Sequence, residues 1–276
     1  MKKNTFLACT LAVLLVAALL VAGCTGTVPP SESPKTTLTV FAAASLTGAL
    51  SDIGEAYEKL HPDVKVDLVF DGSQALRTQI EQGAKADIFV SASVDHMKAL
   101  QNQGLIANET VVNFLENRIA VITPADNPAG ITTLADLARP GIKLVIGTKD
   151  VPFGSYTRQV LDKMAADPQY GQAYKDAVMA NVISEETVVI FVVPKLVLGE
   201  ADAAFVYKSD VKPGDKDKVH RIEIPAEYNV VARYPLGILA ESPRKEAAAE
   251  FIRFVTGPEG GAIMRGYGFD PVAPAS

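Results

Sequence analysis

The sequence predicts an α/β protein of two lobes, each a mostly parallel sheet flanked by helices, and three observations lead there. Short apolar runs alternate with amphipathic stretches over the roughly 240 residues that follow position 36. Several of those runs are apolar throughout, as strands covered on both faces are. Glycines such as Gly83 and Gly104 stand where amphipathic stretches stop, the place of a helix C-cap.

Taken in order, residues 38–42 read as a strand, 45–60 as a helix, 64–70 as a strand, 73–82 as a helix closed by Gly83, and 87–91 as a strand. A helix over 94–103 ends at Gly104, and a strand over 118–122 follows. The second set begins with a helix near 133–137 and a buried strand at 143–147. Helices at 154–165 and 172–179, a helical stretch at 188–198 and a strand at 203–207 come next. A polar turn over 212–217 leads into strands at 221–224 and 230–234, a segment at 236–239, and helices at 243–255 and 258–266. No internal repeat interrupts this order. Crossings near 115–120 and 230–235 then give one lobe of residues 37–118 and 231–276 and another of residues 119–230.

The chain start reads as an export signal over residues 1–23. Lys2 and Lys3 precede an apolar run from Phe6 to Ala22 that is too short and poorly flanked for a spanning helix. Val21-Ala22-Gly23 before Cys24 match a lipobox, which makes Cys24 the candidate lipidation site; an ordinary cleaved signal with an incidental cysteine is the alternative. Residues 24–36, rich in Thr, Pro and Ser, form a flexible lipid-anchored tether. The expected location is therefore extracytoplasmic, on the outer face of the cell membrane. Cys9 and Cys24 are the only cysteines, so a mature domain holds no disulfide framework.

Composition narrows the function further. A net charge of −6 without a basic face argues against nucleic acid, and any anion site must rest on local dipoles. His61, His96 and His220 lie far apart, with no spacing suited to a metal. An exported hydrolase using Ser45 or Ser73 is not expected, because no Gly-x-Ser-x-Gly elbow occurs and no histidine is placed as its base.

Four places put small polar groups or free backbone donors where a strand gives way to a helix, the position of ligands in open α/β folds. Residues 41–46 bring Ser45 after three alanines, as an N-cap or as part of an anion site at a helix start. Residues 70–76 place Ser73 after Gly72 in the same way. Residues 150–156 set Pro152 at an early helical position and leave the Phe153 N–H free to donate. A helix start over 185–189 stands near Tyr207 at a strand end, a phenol that either donates into a cleft or simply packs in the core.

These residues carry a resemblance. Residues 39–47 (Thr-Val-Phe-Ala-Ala-Ala-Ser-Leu-Thr), 79–92 (Gln-Ile-Glu-Gln-Gly-Ala-Lys-Ala-Asp-Ile-Phe-Val-Ser-Ala), 198–202 with 206–210, 234–236 (Tyr-Pro-Leu) and 265–269 (Arg-Gly-Tyr-Gly-Phe) resemble, in order, the molybdate-binding proteins of the ModA family. The resemblance implies a two-lobe type II periplasmic-binding-protein fold that closes over one oxyanion, molybdate or tungstate, for delivery to an ABC importer permease and its ATPase. It implies a monomer with no catalytic residues and no cofactor. Carried over by position, Ser45 and Ser73 donate from the first lobe, and the Phe153 and Val189 N–H groups and the Tyr207 hydroxyl donate from the second. That set is neutral and donor-only, which suits a fully deprotonated dianion and rejects hydrogen phosphate for want of an acceptor. Two positions depart from the pattern: Phe153 replaces a small residue, and residues 187–194 are unusually apolar. Val151 and Val206 stand where six-coordinate tungstate-type relatives carry carboxylates, so the expected ion is tetrahedral and hydrogen-bonded, with no side chain ligating the metal centre.

Overall fold

The computed structural model describes residues 36–272 except Lys212 and Lys216; the export signal, Cys24 and the spacer up to residue 35 lie outside the described residues. Thr36, assigned to the spacer from sequence, instead opens β1 (Thr36–Ala43), because its N–H donates to Asp63 and it pairs with Val64. The α-helix α1 (Thr47–Leu60) follows a 3-10 turn at Ala44–Leu46 and buries Ala49, Leu50, Ile53, Gly54 and Tyr57. Their three- and four-residue spacing puts them on one face. Then come β2 (Val64–Asp71), α2 (Ser73–Glu81), β3 (Ile88–Val90) and α3 (Val94–Asn102). Gly83 and Gly104 close the last two helices with φ of 90° and 70°, values that a side chain disfavours.

The strand β4 (Val112–Pro124) is thirteen residues long, more than twice the span its apolar stretch suggests. Its first half, with Asn113, Glu116 and Asn117, shows little apolar periodicity and is held as strand by pairing. After it come β5 (Leu144–Gly147), α4 (Pro152–Ala166) and α5 (Gly171–Ala180). The strand β6 (Val182–Glu186) follows, carrying polar and half-exposed residues, and the sequence pattern gave no sign of it. Beyond a 3-10 turn at Val189–Phe191 lie α6 (Val192–Val197), β7 (Ala203–Tyr207), β8 (Val219–Glu223) and β9 (Val231–Ile238). The strand β9 joins two segments read separately because Pro235 lies between them. The chain ends with α7 (Lys245–Thr256), α8 (Pro258–Gly266) and β10 (Asp270–Pro271).

The strands form one path, β2-β1-β3-β9-β4-β7-β5-β6, with β8 and β10 added on β4. Parallel pairs lie at both ends, β1 with β2 and β3, and β5 with β6 and β7. The antiparallel strands β9 and β4 join them: β4 pairs with β9 as far as Arg118 opposite Val231, and with β7 from Ile119 opposite Tyr207. No described helix is long and apolar enough to cross a membrane.

Candidate functional site

The sites of interest follow the carboxyl ends of β1, β2, β5, β6 and β7, the ends at which parallel α/β sheets bind ligands. The chain leaves these strands at Ser45, Ser73, Phe153, Val189 and Tyr207, and all five line one cavity. Ala43, Ala44, Gly72, Ala92, Val151, Pro152, Thr187 and Val188 complete its wall, so no charged side chain lines it.

Ser45 lies inside the 3-10 turn that precedes α1 and does not cap a helix. Ala43 occupies the cap position with no side-chain bond, and Thr47 begins the α-helix, its hydroxyl donating to the Ala44 carbonyl. The N-cap expectation for Ser45 is thus corrected: the inserted turn carries the hydroxyl past the cap position and brings it to 3.1 Å from the Tyr234 hydroxyl. Ser73 is the first residue of α2, with Gly72 in the cap position. It is 1% exposed, and its Oγ accepts the Ala92 N–H at 2.9 Å, which leaves its own proton to donate into the cavity.

Phe153 is the second residue of α4, after Pro152, and the first i to i−4 bond of that helix belongs to Ser155. Its N–H therefore has no partner within the helix. The Phe153 ring turns toward Gly147 and Tyr207, so a large side chain is accommodated by a residue without one on the neighbouring strand. Gly154 is needed at the same turn, since a Cβ there would stand 2.1 Å from the Thr148 carbonyl oxygen. Val189 opens the 3-10 turn before α6, again with an N–H that has no helical partner. The helix start expected over 185–189 begins only at Val189, because Glu185 and Glu186 pair with Ile146 and Gly147 as the end of β6.

Tyr207 ends β7 at 1% exposure, and its hydroxyl has no hydrogen-bond partner among the described residues. Burial, then the neighbouring Tyr234, hold its pKa well above the ordinary value of 10, so it remains a neutral donor. An unpaired buried hydroxyl costs about 1–3 kcal/mol, and here it lines a cavity ringed by other donors. Val151, also on the wall, and Val206, buried in β7, carry no carboxylate. Among the described residues no group of three His, Cys, Asp or Glu is placed to hold a metal ion.

Sequence reasoning missed Tyr234, fully buried in β9 beside Ser45, although it lies in one of the family motifs. The available signal was a tyrosine in a strand, whose buried hydroxyl needs a partner. It also missed two hydrogen bonds to residues of the cavity wall. The Gln74 carboxamide folds over Gly72 and donates to the Thr187 carbonyl at 3.3 Å, and the Tyr156 hydroxyl donates to the Ala92 carbonyl at 3.4 Å.

Residues 38–270 match the family model described as bacterial extracellular solute-binding protein. The molybdate-binding protein ModA of Mycobacterium tuberculosis H37Rv is 36% identical over 263 residues, covering 92% of this chain and 95% of that one. ModA of Escherichia coli K12 is 29% identical over 248 residues, covering 84% and 88%. Among solved structures, the periplasmic molybdate-binding protein of Azotobacter vinelandii superposes with a TM-score of 0.74 at 22% identity, covering 86% of this chain and all of that one. The sulfate-binding protein SubI of Mycobacterium tuberculosis reaches the same TM-score at 19% identity, covering 86% and 87%. Those two likenesses establish a type II periplasmic-binding-protein fold and do not choose between the anions.

Proposed function

The chain belongs to the bacterial extracellular solute-binding proteins, and from that premise we propose that its cavity captures molybdate or tungstate for delivery to an ABC importer. The observation that carries this reading is the convergence of five uncharged donors, one after each of five strand ends, on a cavity holding the unpartnered Tyr207 hydroxyl and no charged side chain. Fixed N–H and O–H dipoles replace the hydration of a dianion without a counter-charge. The starts of α2 and α4 add their positive ends.

The molybdate-binding relatives at 36% and 29% identity favour molybdate or tungstate over sulfate. With neutral donors and no carboxylate on the wall, binding is tetrahedral and through hydrogen bonds, and a metal-edge absorption spectrum of the loaded protein is expected to show four-coordinate geometry.

Residues 37–118 with 231–276 act as one lobe and residues 119–230 as the other. The switch of β4 from β9 to β7 between Arg118 and Ile119 supports that division. The Gln74 and Tyr156 hydrogen bonds then hold the lobes together at the mouth of the cleft. The protein works as a monomer tethered through Cys24 and presents the closed form to the permease. Fatty-acid labelling that persists after Cys24→Ser removes the tether from this reading.

Calorimetric titration of the soluble form from Pro34 onward against molybdate, tungstate, sulfate and phosphate tests the function. Tight binding of molybdate and tungstate is expected, with sulfate and phosphate far weaker. Tighter binding of sulfate refutes the assignment.

A further inference from the structure

Each of the two serine hydroxyls lies within hydrogen-bond distance of another group of the protein able to donate to it. For Ser73 the donor is the Ala92 N–H. For Ser45 it is the Tyr234 hydroxyl at 3.1 Å, a pair in which either oxygen is able to donate. What stands behind Tyr234 decides the direction. The Asn117 Oδ1 accepts the Arg118 N–H at 2.9 Å, which sets the orientation of the carboxamide. Its Nδ2 is thereby turned to the Ser209 hydroxyl at 2.8 Å and the Tyr234 hydroxyl at 3.4 Å. The Asn117 amide occupies a lone pair of the Tyr234 oxygen, which makes its single proton available to Ser45. In that arrangement Ser45 Oγ accepts from Tyr234 and its own proton is available to the cavity.

Tyr234 is fully buried, does not line the cavity, and is held by the rings of Tyr207 and Phe269 at 5.9 and 5.7 Å. Asn117 and Tyr234 sit on β4 and β9, the two strands that join the parallel halves of the sheet. A serine hydroxyl without such a neighbour offers a lone pair as readily as a proton. An oxyanion that keeps one proton needs that lone pair, because its own O–H is otherwise buried without an acceptor.

We propose that Tyr234, oriented by Asn117, is a specificity-determining positioning residue that holds Ser45 as a donor and so denies a protonated oxyanion its acceptor. This rests on reading the cavity as an oxyanion site. The rejection of hydrogen phosphate then comes from a relay behind the site as well as from the groups that touch the ligand.

The test is a set of calorimetric titrations of wild type, Tyr234→Phe, Ser45→Ala and the double variant with molybdate, each repeated with phosphate as competitor at neutral pH. Loss of one neutral hydrogen bond behind Ser45 is expected to raise the molybdate Kd of Tyr234→Phe about fivefold. In the Ser45→Ala background the same substitution is expected to change Kd by less than about twofold, since it acts through Ser45. The ratio of phosphate to molybdate Kd is expected to narrow about tenfold in Tyr234→Phe, as a freed Ser45 gains the ability to accept. Additive effects of the two substitutions, or an equal loss for both anions, overturn the relay alone. A wild-type protein that binds neither anion overturns the oxyanion reading and the relay with it. Melting curves check that Tyr234→Phe, which keeps the ring, is folded. If it is not, Asn117→Ala, which removes the donor to the Tyr234 oxygen and lets that oxygen accept from Ser45 instead, is held to the same coupling and selectivity outcomes.

Discussion

Tyr207→Phe separates ligand binding from stability. The buried Tyr207 hydroxyl has no hydrogen-bond partner among the described residues, so its removal breaks no hydrogen bond between them. The ring contacts with Phe153, Tyr156 and Tyr234, at centroid distances of 6.4, 6.4 and 5.9 Å, survive in phenylalanine. Stability is therefore expected to hold or rise, with each kcal/mol worth about 2–4 °C in Tm for a domain of this size. In the complex, the same substitution withdraws a hydrogen bond to a charged oxygen, worth about 1.5–3 kcal/mol, so Kd is expected to rise about 10- to 150-fold. Differential scanning calorimetry without ligand and isothermal titration with molybdate read the two quantities. Unchanged affinity, or a ligand-free protein that melts several degrees lower, refutes the argument that this hydroxyl is kept for a ligand.

Three further outcomes follow from the geometry. Ser73→Ala strands the Ala92 N–H and removes a donor from the cavity, so urea unfolding and molybdate titration are each expected to show a loss of about 1–3 kcal/mol. Gly154→Ala drives a methyl group to 2.1 Å from the Thr148 carbonyl oxygen; about 1–3 kcal/mol of destabilisation is expected in urea, with weaker molybdate binding as the Phe153 N–H is displaced. His96 is half-buried beside Arg77 and hydrogen-bonded to the backbone of Asp150, and its partial burial, then Arg77, lower its pKa below 6.5 against the opposing effects of Asp95, the Asp150 backbone and Glu81. The unfolded chain thus takes up this proton at higher pH than the folded one. The stabilisation is complete above about 6.5 and is lost as pH falls through the folded value, so Tm is expected to fall less between pH 7 and pH 5 in His96→Gln than in wild type.

The sequence by itself determined the order of strands and helices wherever a segment buries a face, because burial imposes a period of two or 3.6 on the residues. The helix spacing of Ala49, Leu50, Ile53 and Tyr57, and the stops at Gly83 and Gly104, were legible for that reason. The strand-end positions of Ser45, Ser73, Phe153 and Tyr207 stood out in the same way, at hydroxyls or at a proline- and glycine-marked helix start, whereas Val189 was carried over from the resemblance because a backbone N–H leaves no mark on residue type. The first half of β4 and the whole of β6 were not legible. They mix polar and apolar residues without a clear alternation, and neighbours from distant sequence pair with them to make them strands. The 3-10 turn before α1 was hidden for a related reason: the choice between a helix cap and an extra turn depends on where the hydroxyl finds its partner. Ser45 found Tyr234, 189 residues away. Tertiary structure alone decided which hydroxyls meet, and that Tyr207 has no hydrogen-bond partner among the described residues, because hydrogen bonds between distant segments depend on distances that no local pattern encodes.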